Sequence, residues 1–166
     1  MKRVKLSQRL KAIAGLIDDN ASVADVGTDH GYLPVYLAQN GFAGHIFASD
    51  ISAASLGSAR RLAEKSGVTE AITFLTAPGL DGVSPADVDT IVIAGMGGET
   101  ILSILKNAPW TKKHNIKLIL QPQSKVYILS RFLYDNGYVI KKTKSVPDRG
   151  KYYTIIVAAG GEVVFS

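Results

Sequence analysis

The residues best suited to binding chemistry surround a glycine that ends the first apolar run, Gly27. They are Asp25, Thr28, Asp29 and His30. A glycine here lets a ligand approach the backbone, and the start of the next helix supplies unpaired N–H donors. Asp50 ends the next apolar run, 23 residues after Gly27, where a carboxylate typically accepts hydrogen bonds from both hydroxyls of a ribose. This spacing predicts a site for a nucleoside-containing cofactor.

The residue two positions after Gly27 narrows the choice of cofactor. The dinucleotide fingerprint needs a glycine there, but this sequence has Asp29. A carboxylate would repel a pyrophosphate, whereas it can accept hydrogen bonds from the ammonium group of S-adenosylmethionine, which has no phosphate. Residues 20–105 carry nine acidic side chains and three basic ones, which also suits a cationic ligand. The sequence therefore favours S-adenosylmethionine over a dinucleotide.

The basic residues concentrate in a different part of the chain. Residues 106–151 carry eleven lysines and arginines against two acids, and the whole chain has a net charge of +5. Such a segment can steer and hold a polyanion. Equally, these side chains can simply solvate exposed faces, and charge alone does not separate the two interpretations.

Hydrophobic periodicity predicts the elements that must position these residues. Leu6 to Ile17 predict an amphipathic helix that ends near Asp18. Strands are predicted at 22–26, 45–49, 71–76, 90–94 and 116–120, and helices at 34–39, 53–65, 101–105 and 126–134. Two further strands, 138–142 and 152–158, have no room for a helix between them and should pair antiparallel. The pattern predicts an α/β fold with a doubly wound, mostly parallel seven-stranded sheet and one antiparallel strand.

Composition bounds the class of protein. We expect one domain over residues 1–166, with a helix in 1–20 and a terminal hairpin over 138–166. The absence of cysteine excludes disulfides and a thiol nucleophile, and we expect no metal site. No apolar run approaches the ~20 residues of a spanning helix, and no signal peptide is evident. We therefore expect a cytoplasmic protein with no membrane partner. The sequence does not determine its oligomeric state, although a monomer is slightly favoured.

Four segments in order resemble one known family. They are Thr28-Asp29-His30-Gly31-Tyr32-Leu33-Pro34, Ile93-Ala94-Gly95-Met96-Gly97-Gly98, Leu120-Gln121-Pro122 and Gly150-Lys151-x-Tyr153. In these four segments the chain is similar to the bacterial tRNA adenine-22 N1-methyltransferases, a branch of the Rossmann-like class I methyltransferases. The resemblance implies methyl transfer from S-adenosylmethionine to N1 of a tRNA adenine.

Ligands of open α/β sheets bind beyond the carboxyl ends of the strands, and this rule together with the resemblance gives the expected site. The predicted cofactor contacts are Asp25, Gly27, Thr28, Asp29, His30, Asp50, Ile51, Ala77, Pro78, Ala94 and Gly95. The predicted substrate contacts are His30, Tyr32, Gly97, Gly98, Gln121, Pro122 and Lys125. The predicted catalytic residue is Asp29.

Adenine N1 already carries a lone pair in the ring plane, so its methylation needs alignment more than a strong base. Asp29 is expected either to stabilise the positive charge that develops on the adenine or to hold the cofactor's amino group. Three simpler interpretations remain open: that Asp29 caps the next helix, that His30 is only a hydrogen-bonding residue of the loop, and that Tyr32 only packs against the helix. The glycines at 95–98 replace the Asn/Asp-Pro-Pro-aromatic turn of enzymes that methylate exocyclic amino groups, which argues against that reaction.

The sequence departs from the family at four places. Pro78 stands where Asp or Asn is frequent, Gln123 where Asn is usual, and Thr154 where Glu commonly follows the tyrosine. The family's C-terminal helical extension has no counterpart before Ser166. Two other functions stay open at this point: a non-catalytic nucleoside- or RNA-binding module, and a methyltransferase for a small molecule or a protein.

Overall fold

A computed structural model describes residues 3–113 and 115–161, in which helices and strands alternate. The strands are β1 Val23–Val26, β2 Ile46–Asp50, β3 Ile72–Thr76, β4 Thr90–Met96, β5 Lys117–Pro122, β6 Tyr138–Asp148 and β7 Lys151–Gly160. The α-helices are α1 Gln8–Ala14, α2 Tyr32–Gln39, α3 Ala53–Lys65, α4 Gly98–Lys106 and α5 Val126–Asp135. Single 3₁₀ turns at Thr69–Ala71 and Pro109–Lys112 complete the regular structure of these residues.

The seven strands form one sheet in the order β3-β2-β1-β4-β5-β7-β6. β1 to β5 pair in parallel, whereas β7 runs antiparallel to both of its neighbours. The predicted sheet, with one antiparallel strand, is confirmed. The order reverses between β1 and β4, and this is where an open α/β sheet places its ligand.

Helices cover both faces of the sheet and bury two separate hydrophobic clusters. Ile13 of α1, Val35 of α2 and Leu62 of α3 pack on one face. Ile101 of α4 and Leu129 of α5 pack on the other. Central strands buried on both faces are continuously apolar, as parallel strands of three-layer proteins are, and they form a rigid support for the loops at their carboxyl ends.

Several elements differ in length from the prediction. α1 ends at Ala14 and not near Asp18. Ile17 is buried as the apolar pattern indicates, but it lies in a turn in which its N–H donates to the carbonyl of Ala14. β4 continues through Gly95, because a bulge between Ala94 and Met96 absorbs the glycine. β5 likewise extends to Pro122.

The terminal hairpin is also longer than predicted. β6 continues to Asp148, and its residues 143–145 are exposed and polar, so no apolar alternation marks them as a strand. The hairpin turns at Arg149 and Gly150, both of which have positive φ. The predicted hairpin residues 162–166 lie outside the described residues. None of the helices described is long and apolar enough to cross a membrane.

Candidate active site

A cleft of about 1180 Å³ opens at the carboxyl ends of β1 to β4. All eleven residues predicted to contact the cofactor line it: Asp25, Gly27, Thr28, Asp29, His30, Asp50, Ile51, Ala77, Pro78, Ala94 and Gly95. Tyr32, a predicted substrate contact, lines it as well. The topology thus brings residues from four separate loops to one cavity.

Asp50 joins two of these loops. Its Oδ2 accepts a hydrogen bond from the backbone N–H of Asp29 at 2.9 Å, and its Oδ1 accepts one from the N–H of Ser52 at 2.9 Å. The carboxylate is buried at the end of β2, and each oxygen retains acceptor capacity beyond these single bonds. It is therefore fixed in place and still able to accept hydroxyl groups.

The loop after β1 depends on unusual backbone conformations. Gly27 has φ +73°, and Gly31, φ +77°, lies so close to α3 that an added Cβ would be 2.7 Å from the Cβ of Ala59. Asp29 itself has φ +57°, a region that aspartate tolerates better than most residues. α2 begins after Gly31 without any side-chain cap. The interpretation of Asp29 as a helix cap is therefore wrong, and its side chain is 69% exposed.

Asp25 is the buried acid of the site. Burial is the main cause that raises the pKa of its carboxyl group to about 6. A hydrogen bond from the Thr28 hydroxyl at 2.7 Å opposes this rise, and the nearby charge of Asp50 adds to it. A carboxylate that is costly to ionise gains from a cation placed beside it. Asp25 therefore suits a positively charged ligand.

His30 and Tyr32 form an aromatic pair at the mouth of the cleft. Their ring centroids are 5.9 Å apart, and Tyr32 is 44% exposed. Nδ1 of His30 is 3.1 Å from the Ser58 hydroxyl, and its Nε2 is 3.8 Å from Oδ1 of Asp29. The histidine is thus held against α3 by the contact with Ser58, while the tyrosine ring presents a partly open face.

Five predicted substrate residues do not line the cleft: Gly97, Gly98, Gln121, Pro122 and Lys125. Gly98 packs so tightly that an added Cβ would meet the backbone carbonyls of Ser124 and Lys125. The Lys125 ammonium group lies 2.8 Å from a carboxylate oxygen of Glu99. The close packing gives Gly98 a structural role, and contact of these five residues with substrate stays a prediction.

Gln121 is fully buried at the end of β5. Its Oε1 accepts hydrogen bonds from the N–H of Gly95 at 3.1 Å and from Nη1 of Arg9 at 2.7 Å, while its Nε2 donates to the carbonyl of Pro122 at 3.0 Å. These hydrogen bonds are all with other groups of the protein, so Gln121 positions the Gly95 backbone and the Arg9 guanidinium.

Sequence reasoning missed the opposite side of the cleft. It is lined by Lys5, Arg9, Asp148, Arg149 and Tyr153. α1 packs against β6 and brings Arg9 there, with its Cζ 5.9 Å from the centroid of the Tyr153 ring. The motif Gly150-Lys151-x-Tyr153 was the sequence signal that could have assigned the hairpin residues to the site. Nothing in the sequence placed α1 at this end of the sheet.

The comparisons with known proteins agree with this geometry. A family model described as a methyltransferase domain matches residues 6–156. A tRNA (adenine(22)-N(1))-methyltransferase of Bacillus subtilis is 35% identical over 162 residues, which cover 98% of this chain and 68% of that protein.

Solved structures give the same result. The crystal structure of the B. subtilis m1A22 tRNA methyltransferase superposes with a TM-score of 0.89 at 34% identity, covering 96% of this chain and 68% of that one. A Streptococcus pneumoniae protein solved in complex with S-adenosyl-L-methionine superposes with a TM-score of 0.87 at 34% identity, covering 98% of this chain and 76% of that one.

The doubly wound sheet, the glycine loop after β1 and the carboxylate at the end of β2 define a class I S-adenosylmethionine-dependent methyltransferase. Within that class, the identity to the B. subtilis enzyme extends over nearly the whole chain. The chain belongs to the tRNA (adenine-22, N1)-methyltransferase family.

Proposed function

We propose that this enzyme transfers a methyl group from S-adenosylmethionine to N1 of an adenine in tRNA. The observation that carries the proposal is the buried carboxylate of Asp50, which two backbone N–H groups fix at the end of β2, beside Gly27. Membership of the family supports the choice of substrate. Cytoplasm is the compartment we propose, because the substrate is tRNA.

The cleft suits the cofactor in shape and charge. Asp50 would accept the ribose hydroxyls, and Gly27 leaves the backbone open to close approach. Asp25 would face the ammonium end, because it lines the cleft and its buried carboxyl group gains from a cation placed beside it. The adenine ring would lie between Ile51, Ala77 and Pro78. When bound, S-adenosylmethionine would supply a methyl group activated by the sulfonium charge, and its methyl–sulfur bond would break to leave a neutral thioether.

The chain's own residues must orient the target adenine. N1 attacks with its ring lone pair, so no group has to remove a proton first. The base has to leave its stack to reach the cleft, and Tyr32 supplies a partly open ring on which it can stack, at about 1–3 kcal/mol per base. The adenine would become cationic as it receives the methyl group. The exposed carboxylate of Asp29 lies next to the His30–Tyr32 aromatic pair, where it would stabilise that positive charge.

Methyl transfer from radiolabelled S-adenosylmethionine into bulk tRNA tests the proposal. We expect incorporation, with 1-methyladenosine as the labelled nucleoside after digestion. Asp29→Asn should lower the rate about 10- to 100-fold, while Asp87→Asn, an exposed site away from the cleft, should not. Cofactor binding without transfer would indicate a non-catalytic binding module, and transfer to protein or small molecules alone would contradict tRNA as the substrate.

A further inference from the structure

The two sides of the cleft carry opposite charge. Asp25, Asp29, Asp50 and Asp81, from the half of the sheet formed by β1 to β3, make up what we call the acidic wall. The other side carries three basic residues, which outnumber its one acid, Asp148, and which we call the basic wall: Lys5 before α1, Arg9 of α1 and Arg149 of the β6–β7 turn. The sheet order separates these elements, because β4 and β5 lie between β1 and β7. A cationic cofactor and a polyanionic RNA would therefore be attracted to different sides of the same cavity.

Arg9 is the member of the basic wall whose position is fixed. Its Nη1 donates to Oε1 of Gln121 at 2.7 Å, and its guanidinium lies over the Tyr153 ring. Gln121 cannot turn away without breaking its bonds to Gly95 and Pro122. The arginine is thereby tied to the backbone turn at the end of β4, next to the cofactor loop.

The guanidinium also keeps most of its donors. Arginine has five N–H groups, and Gln121 takes one of them. The Asp148 carboxylate beside it accepts a bond from the backbone N–H of Arg9, at 3.4 Å, and no carboxylate of the described residues lies within ion-pair distance of the guanidinium. A planar fork of free donors in a fixed position matches the oxygens of a phosphate group.

We propose that Arg9, held in place by Gln121, binds a phosphate group of the RNA backbone beside the target nucleotide. This contact orients the nucleotide so that its base enters between the basic wall and the methyl group held at the acidic wall. Gln121 acts as a positioning residue for Arg9. The inference rests on the proposed function, since it takes tRNA as the substrate.

Fluorescence anisotropy of a labelled, unmodified tRNA transcript without cofactor, at several KCl concentrations, tests this contact. Arg9→Gln should weaken binding about tenfold and flatten the slope of log K against log[KCl] by about one unit. Arg9→Lys should recover the slope but not the full affinity. The matched control is Arg131→Gln, which removes an arginine on α5 that does not line the cleft. Equal affinity of Arg9→Gln and Arg131→Gln would overturn the proposal.

Gln121→Leu tests the positioning role. Alone it should weaken tRNA binding nearly as much as Arg9→Gln, and adding it to Arg9→Gln should cost little more, because both remove the same contact. Additive losses would show that Gln121 does not act through Arg9. Thermal melting establishes whether each variant folds. If Arg9→Gln does not fold, the tRNA affinity of Arg9→Lys decides whether Arg9 binds the phosphate.

Failure of this inference is distinct from failure of the proposed function. Arg9-dependent tRNA binding without methyl transfer would contradict the function and leave the contact standing. Methyl transfer with tRNA binding that does not depend on Arg9 would contradict the contact and leave the function standing.

Discussion

Replacing Asp25 by Asn should stabilise the enzyme, and more so as the pH rises. The carboxyl group is buried in β1 with a pKa raised from 3.8 to about 6, so the folded protein resists its ionisation. Below pH 3.8 the group is neutral in both the folded and the unfolded chain and costs nothing. Between pH 3.8 and 6 the unfolded chain loses this proton while the folded chain keeps it, so stability falls, and above pH 6 the loss stays at its full size.

The size of the effect follows from the two pKa values. Ionisation of Asp25 should cost the folded state about 1 kcal/mol at pH 4.5 and about 3 kcal/mol at pH 7.5. Asparagine has nearly the same shape, and its amide oxygen can still accept the hydrogen bond from the Thr28 hydroxyl. The free energy of unfolding of Asp25→Asn should therefore exceed that of the wild type by about these amounts.

Urea unfolding of both proteins without cofactor, at pH 4.5, 6.0 and 7.5, measures this difference. Asp87→Asn, a substitution of an exposed aspartate, controls for the change in net charge. The reasoning is refuted if the gain from Asp25→Asn does not grow with pH, or if the wild type is the more stable protein at pH 7.5.

Two further outcomes are expected. Gly98→Ala should destabilise the enzyme by about 2–4 kcal/mol in urea unfolding, because the added Cβ would meet the backbone carbonyl of Ser124 at 2.8 Å. The control is Gly137→Ala, at a glycine that has φ +84° but no atom near the added Cβ, and this substitution should cost less. Equal losses would mean that the close packing around Gly98 is unimportant. The affinity for S-adenosylmethionine should fall by up to about tenfold from pH 7 to pH 5, because protonation of Asp25 removes a negative charge from the place where we propose that the cofactor's ammonium group binds. Calorimetry should find a flatter profile for Asp25→Asn, and equal slopes would exclude Asp25 as the cause.

The gathering of the proposed cofactor contacts in one cleft could be predicted from local sequence. The runs that end at Asp25-Val26-Gly27 and at Asp50 are short, apolar and followed by turn residues. In a parallel sheet, that pattern alone places their loops at one edge. The sheet order was not predictable, because periodicity shows which face a residue buries and does not show which strand lies next to it.

The substrate half depended on tertiary contacts that no local pattern contains. Gln121 lies near the end of a strand, which is where pocket-lining residues are expected. Its side chain is instead buried against Arg9, more than a hundred positions away in the chain. Arg9 lies in an amphipathic helix that could have packed anywhere on the sheet. Arg149 follows a strand, β6, whose residues 143–145 are exposed and polar, so no hydrophobic alternation marks this part of the hairpin.

Calorimetric titration of S-adenosylmethionine into the wild type, Asp50→Ala and Asp87→Ala tests most directly whether this cleft binds the methyl donor through its ribose. We predict binding by the wild type and by Asp87→Ala, and a loss of about 1–3 kcal/mol for Asp50→Ala, or about 5- to 150-fold in Kd. Thermal melting establishes that the variants are folded. Equal affinity of the wild type and Asp50→Ala, or no binding by the wild type, would contradict the account.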